Sequence, residues 1–162
     1  MQEPGLVAKC IEAMNKATKL PITIKTRIGY NDIEDFDFLK SFIQTTKDAG
    51  SQKFIIHARK ALLKKLSPKE NLNIPPLKYD FVYKLKEYFK NNEIIINGGV
   101  KNTEEIKFHL SKVDGVMIGR KIYHSPYFLA DIEREIFDNK NIPTRVEIME
   151  NLIPYIQEET SK

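Results

Sequence analysis

Cysteine is nearly missing from this chain: Cys10 is the only one in 162 residues. One thiol excludes an internal disulfide, and a reducing compartment such as the cytoplasm is the expected setting. Long apolar runs are missing too. The longest are of the size of Phe54-Ile55-Ile56 and Ile94-Ile95-Ile96, far below the roughly 20 residues a membrane helix requires, so no membrane partner is expected. The opening Met1-Gln2-Glu3-Pro4-Gly5 has neither a basic nor an apolar leader region, and no secretory signal is read there. No metal site is expected. Charge of one sign is also weak, since a net charge of +4 and a pI near 9.0 are more often a matter of solubility than a nucleic-acid signature.

What is present is the composition of a globular domain, 41% hydrophobic and 30% charged, with residues enough for one sizeable core. Helix-period patterns alternate with short β-rich runs, the pattern of repeated βα units around a parallel sheet. Leu6, Val7, Cys10, Ile11 and Met14 fall on one helical face, predicting a helix over 5–18 with Cys10 on its apolar side. Strands are predicted over 22–27, 53–57, 93–97 and 113–118, and helices over 36–49, 79–90, 102–112 and 126–137. Asn102, with Glu105 three residues on, reads as an N-cap with a capping-box partner. After Asn141-Ile142-Pro143 the pattern resets, and 144–159 reads as a further helix. Four βα units are half of a (β/α)8 barrel, which needs eight strands and about 250 residues. An open doubly wound sheet would show the same alternation, and periodicity does not choose between them.

In parallel βα folds the chemistry gathers at the C-terminal ends of the strands. Those ends carry Lys25 and Arg27, then His57 and Arg59, then Asn97-Gly98-Gly99, then Gly119-Arg120. Glycines after two neighbouring strands let backbone N–H groups approach an anion, and an adjacent arginine adds a bidentate partner for phosphate oxygens. Taken singly, each glycine is equally a tight turn. Lys25 stands in an apolar run, where a buried amine costs several kcal/mol without a partner. It reads either as a lysine at a barrel mouth or as an edge lysine reaching solvent. His57 alone is as good a rim residue as a functional one.

His57-Ala58-Arg59-Lys60-Ala61, Leu66-Ser67-Pro68-Lys69-Glu70-Asn71 and Ile74-Pro75-Pro76-Leu77 resemble the A subfamily of tRNA-dihydrouridine synthases. Ile24-Lys25-Thr26-Arg27-Ile28-Gly29, Ile96-Asn97-Gly98-Gly99 and Asp114-Gly115-Val116-Met117-Ile118-Gly119-Arg120 match in the same order, and the resemblance covers nearly the whole chain. It implies the fold class α/β, a TIM (β/α)8 barrel, with residues 1–140 forming its C-terminal half and 144–162 starting a helical tRNA-binding domain. It implies reduction of D-loop uridines of tRNA, positions 20 and 20a, to 5,6-dihydrouridine, with FMN as cofactor and NADPH as reductant. Lys25, His57, Asn97, Gly98, Gly99, Gly119 and Arg120 match cofactor-binding positions. Lys69, Arg59 and Lys60, in a loop rich in lysine, match or neighbour the tRNA contacts, although Leu72 stands where a basic contact is common. The same loop is also readable as a solvated lysine-rich surface.

The family's proton-donating cysteine has no counterpart here, and the register of Cys10 places it among core residues as a small hydrophobe. The chain is accordingly expected to be a partial or inactive fragment of a synthase, with the N-terminal half, as a separate chain, a candidate partner. The alternatives are a non-catalytic basic half-barrel that binds RNA or a partner chain, and a relative of other FMN barrels. The last lacks the Ala-Arg-Lys-Ala and Ser-Pro-Lys-Glu-Asn run.

Overall fold

The computed structural model of the protein describes residues 1–63 and 75–162. The elements run α1 (Pro4–Ala17), β1 (Thr23–Arg27), α2 (Phe36–Asp48), β2 (Lys53–His57), α3 (Tyr79–Tyr88), β3 (Glu93–Asn97), α4 (Thr103–Leu110), β4 (Gly115–Met117), α5 (Arg120–His124), α6 (Phe128–Ile136) and α7 (Arg145–Thr160). The strands form one sheet in the order β1-β2-β3-β4, every pair parallel. A doubly wound sheet reverses its strand order at a switch point. Here the order is that of the chain, as in consecutive units of a (β/α) barrel, and the fold is a partial TIM barrel.

The two faces of the sheet have different surroundings. In-register residues of parallel neighbours point the same way. Ile24, Phe54 and Ile94 share one row, and Thr26, Ile56, Ile96 and Val116 another on the same face. Phe54, Ile56, Ile94 and Ile96 are fully buried against Leu39, Phe42 and Ile43 of α2 and Val82 and Leu85 of α3. The opposite face presents Lys25, Ile55, Ile95 and Gly115, then Arg27, His57, Asn97 and Met117, none of them buried. That second face corresponds to the interior of a closed barrel. A smaller cluster of Val100, Ile106 and Phe128 joins α4 to α6.

Cys10 departs from its expected place. α1 packs on α2 along a strip of Val7, Ala8 and Ile11, of which only Ile11 is buried, and Cys10, about 100° round the helix from Ile11, is exposed. The strand expected over 113–118 is shorter, because the amide of Val113 still closes the turn after α4 on His109. The capping box at Asn102 is half formed. Asn102 accepts from the Glu105 amide at 2.8 Å, while the Glu105 carboxylate accepts from the Lys101 backbone amide at 2.7 Å and from the Asn102 side chain at 3.5 Å instead of from the Asn102 backbone amide. A full box caps α7 through Thr144 and Glu147. The short α5 was not foreseen: five residues carry too little period to be read, and Pro126 disfavours helix at the residue before it.

Candidate functional site

Of the in-register row that ends the strands, His57, Asn97 and Met117 form the floor of a cavity of about 890 Å³, whereas Arg27 lies outside it. Its wall is completed by the loops that follow β2, β3 and β4, as parallel strands require, since those loops share one end of the sheet. Lys25, His57, Asn97, Gly98, Gly99, Gly119 and Arg120 all line it. Residues far apart in the chain are thus brought to one place. Asn97 fixes the floor by donating from Nδ2 to the Met117 carbonyl at 2.8 Å, tying the ends of β3 and β4 together. Lys25 is exposed, not buried, because β1 is an edge strand of this sheet and the amine reaches the cavity without losing water.

Gly98 and Gly99 have φ of 123° and 76°, a region open to glycine and strained for other residues. Added Cβ atoms would also collide, at Gly98 with Leu77 at 2.7 Å and the His57 ring at 2.9 Å, at Gly99 with Leu77 at 2.5 Å and the Tyr79 hydroxyl at 2.9 Å. The turn is therefore a cradle in which backbone, not side chain, meets whatever enters.

Positive charge converges on this cradle. Lys25, Arg59, Lys101, Arg120 and Lys121 line the cavity beside His57 and His124, and among the described residues Glu105 is the one carboxylate in the wall. Burial, then the charges of Arg27, Lys25, Arg59 and Arg120, push the His57 imidazole down to about 4, so it is neutral at neutral pH. Burial also pulls Arg59 below its ordinary value, with Arg120 and Arg27 adding to the effect; a guanidinium nonetheless stays protonated. Its Nε is buried and has no hydrogen-bond partner among the described residues. Five cations against one carboxylate, with the buried Arg59 Nε unpartnered beside open backbone, make a site for an anion.

The residues expected to meet RNA divide. Arg59 lines the anion cavity. The Lys60 ammonium lies 3.6 Å from the Glu34 carboxylate, which Lys78 also meets at 3.2 Å, and its carbonyl accepts from Arg27 at 2.8 Å. Lys69 lies outside the described residues, as do Lys64, Lys65 and Leu72. Sequence reasoning missed Tyr79, Leu77, Lys101, Glu105, Lys121 and His124 in the wall; the basic members flank the glycine turns already singled out, whereas nothing in the local pattern marks Tyr79. Among the described residues no group of three or more His, Cys, Asp or Glu is placed to hold a metal ion, and no helix is long and apolar enough to cross a membrane.

Comparison with known proteins identifies the family. The family model described as dihydrouridine synthase matches residues 1–162. A tRNA-dihydrouridine(20/20a) synthase of Synechocystis sp. is 48% identical over 159 residues, covering 98% of this chain and 48% of the relative. Its counterpart in Vibrio parahaemolyticus is 49% identical over 164 residues, covering all of this chain and 50% of the relative, and that of Pasteurella multocida is 46% identical over 163 residues with the same coverage. The chain spans about half the length of the curated relatives it matches. With a family match running from its first residue to its last, over a half-barrel whose strand ends converge on one anion cavity, the chain belongs to the dihydrouridine synthase family.

Proposed function

We propose that this chain forms the phosphate-binding half of a flavin site in an enzyme that reduces uridines 20 and 20a of tRNA to 5,6-dihydrouridine. The observation that supports this most is the cavity itself, where a two-glycine cradle and an unbalanced set of cations meet at the C-terminal ends of parallel strands. The residues present fit the phosphate of FMN: the Gly98–Gly99 turn has no room for side chains and lines the cavity with backbone, and Arg59 and Arg120 supply charged donors there. Lys25 and His57, further along the same floor, are assigned to the flavin side, with Asn97 holding the floor rigid and Gly119 opening the wall. Bound there, FMN would supply the hydride and NADPH would replenish it. His57, neutral at pH 7, can accept or donate one hydrogen bond without adding to the cationic crowd.

No residue of this chain is assigned as proton donor: Cys10 is exposed on α1 and is not among the residues that line the cavity. The remaining βα units, and the donor with them, are assigned to a separate N-terminal half. Residues 144–162 are assigned to the start of a helical domain, and the lysine-rich loop that includes Lys69 to contact with tRNA phosphates, which position an RNA without reading it. A second reading, a non-catalytic basic half-barrel that binds RNA, has in its favour that the cavity wall offers no thiol.

Flavin titration separates the two. The chain should bind FMN weakly, bind riboflavin still more weakly, and reduce no uridine until it is mixed with the N-terminal half of a relative. Arg120→Ala should lower FMN affinity by about tenfold, the usual cost of one charged hydrogen bond, and leave tRNA affinity unchanged; Lys69→Glu should do the reverse. Failure to bind FMN both alone and with the N-terminal half would leave the non-catalytic reading standing.

A further inference from the structure

The Gly98–Gly99 turn is held from behind by a tyrosine that the flavin-site reading does not use. Tyr79 opens α3, and the start of that helix is fixed to the end of β2 by the Lys78 amide, which donates to the Ala58 carbonyl at 2.7 Å. From there the Tyr79 hydroxyl reaches across to the next loop and donates to the Gly98 carbonyl at 2.7 Å. The ring is backed edge-on by His109 of α4, with centroids 4.6 Å apart. His109 is itself buried at 3% exposure and shares a 2.8 Å hydrogen bond with Tyr83, one turn along α3. Burial lowers the pKa of His109 and raises those of Tyr79 and Tyr83, so all three rings are neutral at neutral pH.

Two glycines in succession with positive φ are the least restrained backbone a chain can have. A turn of that kind is a good cradle only if something outside it selects one conformation, because an anion that must first order the loop loses affinity by the cost of ordering. Asn97 secures the residue before the turn, and after it the Lys101 amide is held by Glu105. Within the turn, Tyr79 makes the one side-chain hydrogen bond found among the described residues.

We propose that Tyr79 is a positioning residue: its hydroxyl, bonded to the Gly98 carbonyl, fixes the Gly98–Gly99 turn in the conformation that receives an anion. That the anion is the flavin phosphate rests on the preceding reading; that the turn is clasped does not. Tyr79→Phe is the informative variant, since it keeps the ring, its contact with His109 and its burial, and removes the hydroxyl alone. Tyr83→Phe is the control, because it breaks a hydrogen bond in the same aromatic group without touching Gly98.

The measurements are made on the whole 162-residue chain. Backbone ¹⁵N order parameters at Gly98 and Gly99, without ligand, should be near 0.85 in the native chain and in Tyr83→Phe, and below about 0.6 in Tyr79→Phe. Affinity for inorganic phosphate and for FMN should fall about fivefold in Tyr79→Phe, the usual effect of one neutral hydrogen bond, and stay unchanged in Tyr83→Phe. Order parameters in Tyr79→Phe equal to those of the native chain overturn the clasp, and so does an equal loss of phosphate affinity in both variants, which would indicate general packing. A native chain that binds neither phosphate nor FMN, alone or with the N-terminal half, overturns the flavin reading, while the order parameters still decide the clasp.

Discussion

At the scale of single residues, His57 ties the electrostatics of the cavity to a measurable pH dependence. Its value is about 4 in the folded protein against 6.5 for the free side chain, so between those limits the unfolded chain carries more protons. Stability therefore rises with pH across that window, is complete above about 6.5, and is lost as the pH falls toward 4. His109, also lowered by burial, contributes with the same sign. Urea midpoints should drop between pH 7 and pH 4.5, and His57→Gln should remove part of that slope and leave the part due to His109. An anion among Lys25, Arg59 and Arg120 would screen the repulsion that holds His57 down, so its NMR titration should move upward on adding phosphate. A slope unchanged in His57→Gln would show that the cations do not act on this imidazole. Such behaviour was not legible beforehand. The sequence places Lys25, His57, Asn97, Gly98, Gly99, Gly119 and Arg120 at strand ends, because a period of two and the turn residues locate those ends. It does not say which neighbouring cations crowd one ring, nor that Arg59 turns into the cavity while Lys60 pairs with Glu34, since side-chain direction in a loop follows from tertiary contacts.

Elements were legible in proportion to their period. β2 and β3 fall on the expected residues because Lys53–His57 and Glu93–Asn97 are short, β-branched and bounded by turn residues. Cys10 was misplaced because an apolar stripe on α1 marks what a helix can bury, whereas α2 covers only part of it; Leu6 and Met14 stay exposed at 56% and 44%. α7 presents the same situation more fully. It has a complete capping box, carries Pro154 within it and buries no residue. It is fastened at its start, where the Tyr127 hydroxyl donates to the Pro143 carbonyl at 3.1 Å and Arg145 lies over the Tyr127 ring at 4.1 Å. Val146, Met149 and Ile153 are exposed, and an apolar groove of about 630 Å³ separates α6 from the segment around 139–149. If 144–162 starts a domain of its own, deleting it should change the unfolding free energy of the remaining chain, from urea melts, by no more than about 0.5 kcal/mol, the range of surface changes. A loss of several kcal/mol would make α7 part of the barrel core instead.

At the scale of the whole molecule, the two faces of the sheet make opposite demands on neighbouring isoleucines. Ile96 points at the helices and is fully buried; Ile95, one residue earlier, points to the other face and is only half-buried. Parallel sheets are ordinarily covered on both faces. Here one face carries helices while the other presents Ile55 and Ile95 below the anion cavity, and β1 and β4 each pair on one side only among the described residues. An uncovered apolar face with unpaired edges is a surface for association. A lysine at Ile96 would bury a charge with no partner, at a cost of several kcal/mol against a total stability of about 5–15 kcal/mol for a domain. Ile96→Lys should therefore unfold the chain. Ile95→Lys should leave it folded by circular dichroism, because the ammonium reaches water across the open face, and, if the native chain associates through that face at high concentration, should lower its sedimentation coefficient there. If Ile95→Lys unfolds as Ile96→Lys does, the face away from the helices is as closed as the core. If it sediments like the native chain at every concentration, association runs elsewhere and the open face of the half-barrel is not what draws copies together.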